Sequence, residues 1–155
     1  MLKKIRIEKK LTQAEAANFL GISLRSYKSY ENDEVKRDTK KYQYFLEKIM
    51  EINPIDEEHG IREIDDIKKI SEVIFDEYNI EFCYLFGSYA KNSANETSDI
   101  DLLICSEVKG LKFYGLVEEL RESLHKKVDV LNIEQLKDNL DLTKEILKDG
   151  IKIYG

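Results

Sequence analysis

The feature that most constrains this chain is a break between two short apolar runs. Phe82-Cys83-Tyr84-Leu85-Phe86 stops at Gly87-Ser88, and after a polar segment Ser98-Asp99-Ile100-Asp101 opens into Leu102-Leu103-Ile104-Cys105. Apolar runs of this length bounded by turn residues read as buried strands. Side chains alternate along a strand, so Asp99 and Asp101 project from one face, about 7 Å apart along the backbone. Two carboxylates so placed repel each other unless a cation sits between them. Mg²⁺ suits such a place, because it takes one or two carboxylates and leaves other positions to phosphate oxygens and water. The Gly87-Ser88 turn offers backbone N–H groups and a hydroxyl, which suit an anionic phosphate. These parts together read as a metal–nucleotide site. The plainer alternative is a pair of acids that cap a turn and a strand start. It does not explain why Asp99 and Asp101 alternate with Ile100 and Leu102, nor why Asp129 stands alone among Val128, Val130 and Leu131.

The order Gly87-Ser88, Ala90-Lys91, then Ser98-Asp99-Ile100-Asp101-Leu102 resembles the signature of the DNA polymerase β-type nucleotidyltransferases, especially their minimal branch. That signature runs Gly-Ser, a few residues, Arg or Lys before Gly, a polar loop, then Ser-Asp-x-Asp and an apolar residue. The resemblance covers roughly residues 70 to 154 and asks for a third carboxylate on a later strand, which Asp129 supplies. Asn92 stands where the family usually has Gly, and Asn is the non-Gly residue that best tolerates positive φ. The resemblance implies transfer of a nucleoside monophosphate from a triphosphate, ATP, to an acceptor, with pyrophosphate leaving. It implies that Asp99 and Asp101 hold Mg²⁺, as two ions, and that Asp129 completes the site, either as a shared metal ligand or as the group that orients or deprotonates the acceptor hydroxyl. Gly87 and Ser88 would bind the β- and γ-phosphates. Lys91 either meets the triphosphate or is a solvated charge.

The first third of the chain has a different character. Residues 2–9 read as a helix with Leu2, Ile5 and the stem of Arg6 inward. Thr12-Gln13-Ala14-Glu15 is a capping box that starts a second helix, with Ala16, Ala17 and Leu20 on one face and Gly21 closing it. Ser23 caps a third helix running to about Tyr30, with Leu24, Tyr27 and Tyr30 as inward residues. A fourth spans Thr39 to Met50, with Tyr42, Phe45, Leu46 and Ile49 inside. The Thr-Gln, Gly-Ile-Ser and Tyr-Glu-Asn spacing resembles the repressor-type (XRE/Cro-like) helix-turn-helix. In such domains the second helix of the pair enters the major groove with its first residues at base edges. The resemblance therefore implies DNA contacts from Arg25 and Ser26, with Lys28 and Ser29 one turn on, and a phosphate contact from Gln13. The alternative is a solvated helix face in a small bundle, or a module that only dimerises.

Charge divides the chain in the same way. Residues 1–52 carry 12 Lys/Arg against 8 Asp/Glu, whereas residues 53–155 carry 13 against 23. Pro54 and the acidic run Asp56-Glu57-Glu58-His59-Gly60 read as a linker. The expected organisation is an all-α helix-turn-helix bundle over 1–52, a linker over 53–62, and an α/β (α+β) domain with a small mixed sheet over 63–155. Within the last, helices are expected from Glu63 to Tyr78 (closed by Asn79), from Phe113 to Leu124 (His125 at its end), and over 135–140 and 142–148. Further strands are expected over 127–133 and 150–154. No apolar run is long enough to span a bilayer, and Lys3, Lys4 and Arg6 do not introduce a signal peptide. Cys83 and Cys105 both lie in apolar strands, where a disulfide is geometrically open but reduced cytoplasmic thiols are the expectation. No Cys/His cluster suggests zinc.

Minimal nucleotidyltransferases of this size resemble antitoxins of two-gene pairs whose partners are HEPN-domain ribonuclease toxins. The resemblance implies a Mg-ATP-dependent protein adenylyltransferase that AMPylates a toxin tyrosine and binds operator DNA; a helix-turn-helix that reads a palindrome suggests a homodimer. The alternative is a non-catalytic DNA-binding regulator whose second domain senses nucleotide or mediates assembly. Modification of a small molecule such as an aminoglycoside is a third reading, weakened by the lack of a second domain to form a drug pocket.

Overall fold

Capping chemistry sets the ends of the first helices. Thr12 Oγ1 accepts the amide of Glu15 at 3.1 Å while the Glu15 carboxylate accepts the amide of Thr12 at 2.7 Å, the reciprocal pair that starts α2. Gly21, at φ +65°, makes the turn out of it, and the Ser23 hydroxyl starts α3. The computed structural model describes residues 1–155, which divide into two units, Met1–Pro54 and Ile55–Gly155. The first contains α1 (Leu2–Glu8), α2 (Gln13–Phe19), α3 (Leu24–Asn32), a 3₁₀ turn (Glu34–Asp38) and α4 (Lys40–Glu51), the last capped by Thr39.

The core of that unit is Leu2, Ala16, Ala17, Tyr27, Tyr42, Phe45, Leu46 and Ile49. Leu24 is a correction to the expected inward set: it is 40% exposed, whereas Tyr27 is fully buried and Tyr30 packs against the edge of the core. A buried ion pair crosses the bundle. Arg6 Nε and Nη2 donate to the two oxygens of Glu31 at 2.8 and 3.1 Å, and Arg6 Nη1 donates to the Leu11 carbonyl at 2.7 Å. The side chains are 11% and 1% exposed. Burial works to raise the Glu31 carboxyl, but hydrogen bonds from Arg6 and Gln13 outweigh it and hold the group below its ordinary range.

The second unit is a four-stranded sheet in the order β3-β2-β1-β4, with β1 Phe82–Phe86, β2 Ile100–Cys105, β3 Val128–Asn132 and β4 Ile151–Tyr154. β1 pairs antiparallel with both neighbours, and β2 pairs parallel with β3 through the crossover helix α7 (Leu111–Leu124). Helix α5 (Ile64–Tyr78), closed by Asn79 in the left-handed region, packs with α7 on one face. Ile100, Leu102, Ile104 and Val128 point into that core. The other face carries Phe86 and Leu103, against which Ile146 packs from α8 (Leu140–Asp149). Three local expectations change. Gly87–Ala90 forms one short helical turn, α6; Ile133–Leu136 is a 3₁₀ turn; and α8 starts at Leu140. Cys83 faces the α5/α7 core while Cys105, paired with Phe82, faces the other way; both are free thiols.

Residues 55–62 are tied to this second unit. Glu57 is ion-paired with Arg121, Arg62 Nε donates to the Leu124 carbonyl at 2.8 Å, and the Arg62 amide donates to Tyr89 Oη at 3.5 Å. No helix is long and apolar enough to cross a membrane.

Replacing Arg6 by Met leaves the Glu31 carboxylate buried without its main partner, which costs about 3 kcal/mol. Urea unfolding of the full chain followed by circular dichroism measures it. Because Glu31 titrates below its ordinary 4.5 when folded, the difference from wild type should be full above pH 4.5 and shrink as pH falls through the folded value. A loss below about 0.5 kcal/mol, the scale of an ordinary surface substitution, would contradict this account of the bundle.

Candidate functional site

The parallel register of β2 and β3 sets Asp101 directly beside Asp129. Residues paired this way in parallel strands point to the same face, so the two carboxylates stand together on the α8 side of the sheet. Asp99, just ahead of β2, is close enough for its charge to act on Asp101. Burial, then the charges of Asp129, Asp99 and Glu145, push the Asp101 carboxyl up to about 6. Asp101 and Asp99 are half-buried and Asp129 is exposed.

Phe86, the last residue of β1, pairs with Asp101, so the chain enters α6 beside the acids. Gly87 adopts φ +68°, and a Cβ there would overlap the Asp101 carboxylate. This is a position where only glycine allows both the backbone turn and the close approach. Ser88 follows, half-buried, its carbonyl accepting the Ser93 amide at 2.9 Å. The first amides of such a turn have no helical partner. Asn92 takes φ +55°, so the residue standing at the usual Gly position of the signature this chain resembles does adopt the left-handed conformation that Gly permits. Lys91 is turned toward α8, where its Nζ is 2.7 Å from Glu145.

Mg²⁺ fits the donor chemistry here, which is oxygen-only. No three carboxylates close into a ready-made cage. Magnesium does not require one, since it is bound through one or two carboxylates together with substrate phosphates and water. On the same face, a cavity of about 770 Å³ opens between Tyr84 and Leu103 of the sheet and Thr143, Ile146 and Leu147 of α8. Its walls are mainly apolar, with room for a planar base or an aromatic side chain.

A family model described as polymerase beta, nucleotidyltransferase matches residues 68–155, and a helix-turn-helix model matches residues 2–39. The chain belongs to the polymerase beta nucleotidyltransferase family. Among its relatives are two proteins of Methanocaldococcus jannaschii. "Putative protein adenylyltransferase MJ0128" is 35% identical over 60% of this chain and 97% of that protein. MJ0435, of the same description, is 40% identical over 47% of this chain and 81% of that protein. A chain from a crystal structure of a toxin–antitoxin with AMP-PNP superposes at a TM-score of 0.49 and 21% identity, over 59% of this chain and 74% of that one.

The structure sets Asp101 beside Asp129 and against Gly87, with Ser88 next along the chain and Asp99 near enough for its charge to act on Asp101, and directs Lys91 to Glu145. Glu145 was not legible in the sequence: it is one more acid on an amphipathic helix. In the helix-turn-helix, Arg25 and Lys28 are exposed on α3, and Ser26 and Ser29 are half-buried. The Ser29 hydroxyl accepts from Lys36 Nζ, and Gln13 Nε2 donates to Glu31 at 2.9 Å, so Gln13 is engaged in the bundle. The sequence reading missed a second basic group beside α3. Lys36 and Lys41 lie over the ring of Tyr30 at 5.0 and 5.5 Å, with Arg37 and Lys40 exposed beside them. Four basic residues within six positions were its signal.

Glycine substitutions separate ordinary turns from the site. Gly21→Ala meets nothing within 4 Å and should cost only the left-handed penalty, about 1–2 kcal/mol. Gly87→Ala should cost a further 1–3 kcal/mol, roughly, by overlap with Asp101. Equal losses in urea unfolding would contradict the close approach.

Proposed function

We propose that this protein transfers an adenylyl group from Mg-ATP to a tyrosine of a HEPN-domain ribonuclease toxin, acting as the antitoxin of the pair and binding operator DNA. The observation that carries the reading is Asp101 in register beside Asp129, on the sheet face next to Gly87-Ser88. The names of the Methanocaldococcus jannaschii relatives support protein adenylyl transfer in particular. The order of modules, a helix-turn-helix ahead of a minimal nucleotidyltransferase, supports an antitoxin that represses its own operon.

In this reading Asp99, Asp101 and Asp129 hold the metal. When bound, Mg²⁺ would offset the charge that develops on the transferred phosphoryl group and its leaving oxygen. The amides at Gly87 and Ser88 and the Ser88 hydroxyl donate to the β- and γ-phosphates. Asp129, the most exposed of the three acids, takes the proton of the acceptor hydroxyl. The acceptor oxygen then bonds to the α-phosphorus as the bond to the bridging oxygen breaks, and pyrophosphate leaves with that electron pair. The apolar cavity between β1, β2 and α8 receives the aromatic part of a substrate.

A second reading, a regulator that binds nucleotide without turnover, is favoured by one observation. Lys91 is ion-paired with Glu145, and that bond must open before Lys91 can meet a triphosphate. Intact-mass spectrometry of a co-expressed toxin separates the two. The enzymatic reading predicts addition of one or more AMP units with wild-type protein and none with Asp101→Asn. A toxin unmodified by wild-type protein, with ATP nevertheless altering operator affinity, would favour the regulator.

DNA binding is tested by salt dependence. Replacing Arg25 and Lys28 together by Ala should weaken operator binding and reduce the slope of log K against log salt by about 1–2. An unchanged slope and affinity would remove α3 from the interface.

A further inference from the structure

Lys126 has no exposed surface, which is rare for a lysine. It sits between His125, the left-handed residue that closes α7, and the start of β3. Its Nζ donates to the carbonyl of His59 at 3.3 Å and to the carbonyl of Glu96. Burying an ammonium costs several kcal/mol unless it is paired. Burial pulls the Lys126 ammonium below its ordinary range, and the nearby charges of Asp56, Glu96 and Glu57 oppose that pull. Were filling space the only need, an apolar side chain of similar volume would serve as well. What the ammonium adds is a tie between two backbone segments far apart in sequence.

Each segment leads to the transfer site. From Glu96 the path is three residues long. The Ser98 amide donates to the Asn95 carbonyl at 3.1 Å, the Asn95 amide to Ser98 Oγ at 2.8 Å, and the Thr97 amide to Asn95 Oδ1 at 3.0 Å. Asp99 follows this closed turn, and the next amide, that of Ile100, donates to the carbonyl of Lys127 at 2.9 Å. At the other end His59 lies in a segment braced on itself, with Asp56 Oδ1 accepting the amides of Glu58 and His59 at 2.9 Å each. The same segment reaches the other half of the site through the bond from the Arg62 amide to Tyr89 on α6. The Gly60 amide adds a 3.4 Å bond to the Glu96 carboxylate.

We propose that Lys126 is a positioning residue of the transfer site, its buried side chain fixing the Asn95–Ser98 turn, and with it Asp99, to the segment that runs from Asp56 to Arg62. The inference rests on the nucleotidyl-transfer reading. Lys126 touches neither substrate nor metal; it sets where a metal-holding carboxylate stands, as an outer-shell partner does.

The test uses the full chain as wild type, Lys126→Met and Asn95→Ala. Mn²⁺ affinity is measured by electron paramagnetic resonance with a non-hydrolysable ATP analogue present, and folding by urea unfolding. Lys126→Met removes the tie from beneath, and Asn95→Ala loosens the same turn from its solvent side without touching the core. A folded Lys126→Met should bind Mn²⁺ about tenfold more weakly or worse, with nucleotide affinity at saturating Mn²⁺ unchanged. Asn95→Ala should weaken Mn²⁺ in the same direction. A folded Lys126→Met with wild-type Mn²⁺ affinity overturns the proposal. If that variant does not fold, weakened binding in Asn95→Ala supports the proposal and unchanged binding overturns it. A wild-type protein that binds no Mn²⁺ with the analogue removes the transfer reading itself, an outcome distinct from normal wild-type binding with unaffected variants.

Discussion

The pairing of β2 with β3 is the constraint on which the candidate site depends. It is parallel, so it requires a crossover, and α7 supplies one. Its register is held by the side chains on the face away from the acids. Ile100, Leu102, Ile104 and Val128 are buried against α5 and α7, and a slip of one residue would exchange them for Asp101 and Asp129. The apolar alternation of the strands therefore decides where the carboxylates stand. Burial of the core and placement of the acids are one event, not two.

That placement carries an electrostatic cost. Asp101 is half-buried, with the charges of Asp129, Asp99 and Glu145 all acting against its ionised form. A pure stability optimum would not gather four acids in this way; functional sites do. One of the four, Glu145, is ion-paired with Lys91 across α6 and α8. Glycine at position 87 removes the one side chain that would collide with Asp101.

Much of this architecture could be read from local pattern, because local pattern causes it. The Thr12–Glu15 box, the helix end at Asn79 and the two-residue alternation through Asp99-Ile100-Asp101-Leu102 act over a few residues, and the structure shows each where it was expected. The left-handed Asn92 belongs with them. The misses share a different cause. Leu24 sits at an apolar spacing but faces outward, since Tyr27 fills the space in the bundle. Lys91–Glu145, Lys126–Glu96 and Arg62–Leu124 join residues 30 to 62 positions apart, and no periodicity reports such contacts. The run 56–60 is polar and unpatterned, which is how a linker reads, yet its hydrogen bonds tie it to the nucleotidyltransferase unit. Backbone groups make most of those bonds, and they leave no mark in the side-chain sequence.

In the proposed function the carboxylates of β2 and β3 form one cation-binding edge beside the Gly87-Ser88 turn. Anomalous scattering from crystals grown with Mn²⁺ and a non-hydrolysable ATP analogue measures this directly. The expected result is a manganese peak at the carboxylates of Asp101 and Asp129, with the analogue's triphosphate against Gly87 and Ser88. Nucleotide bound elsewhere, or manganese bound away from that pair, would contradict it.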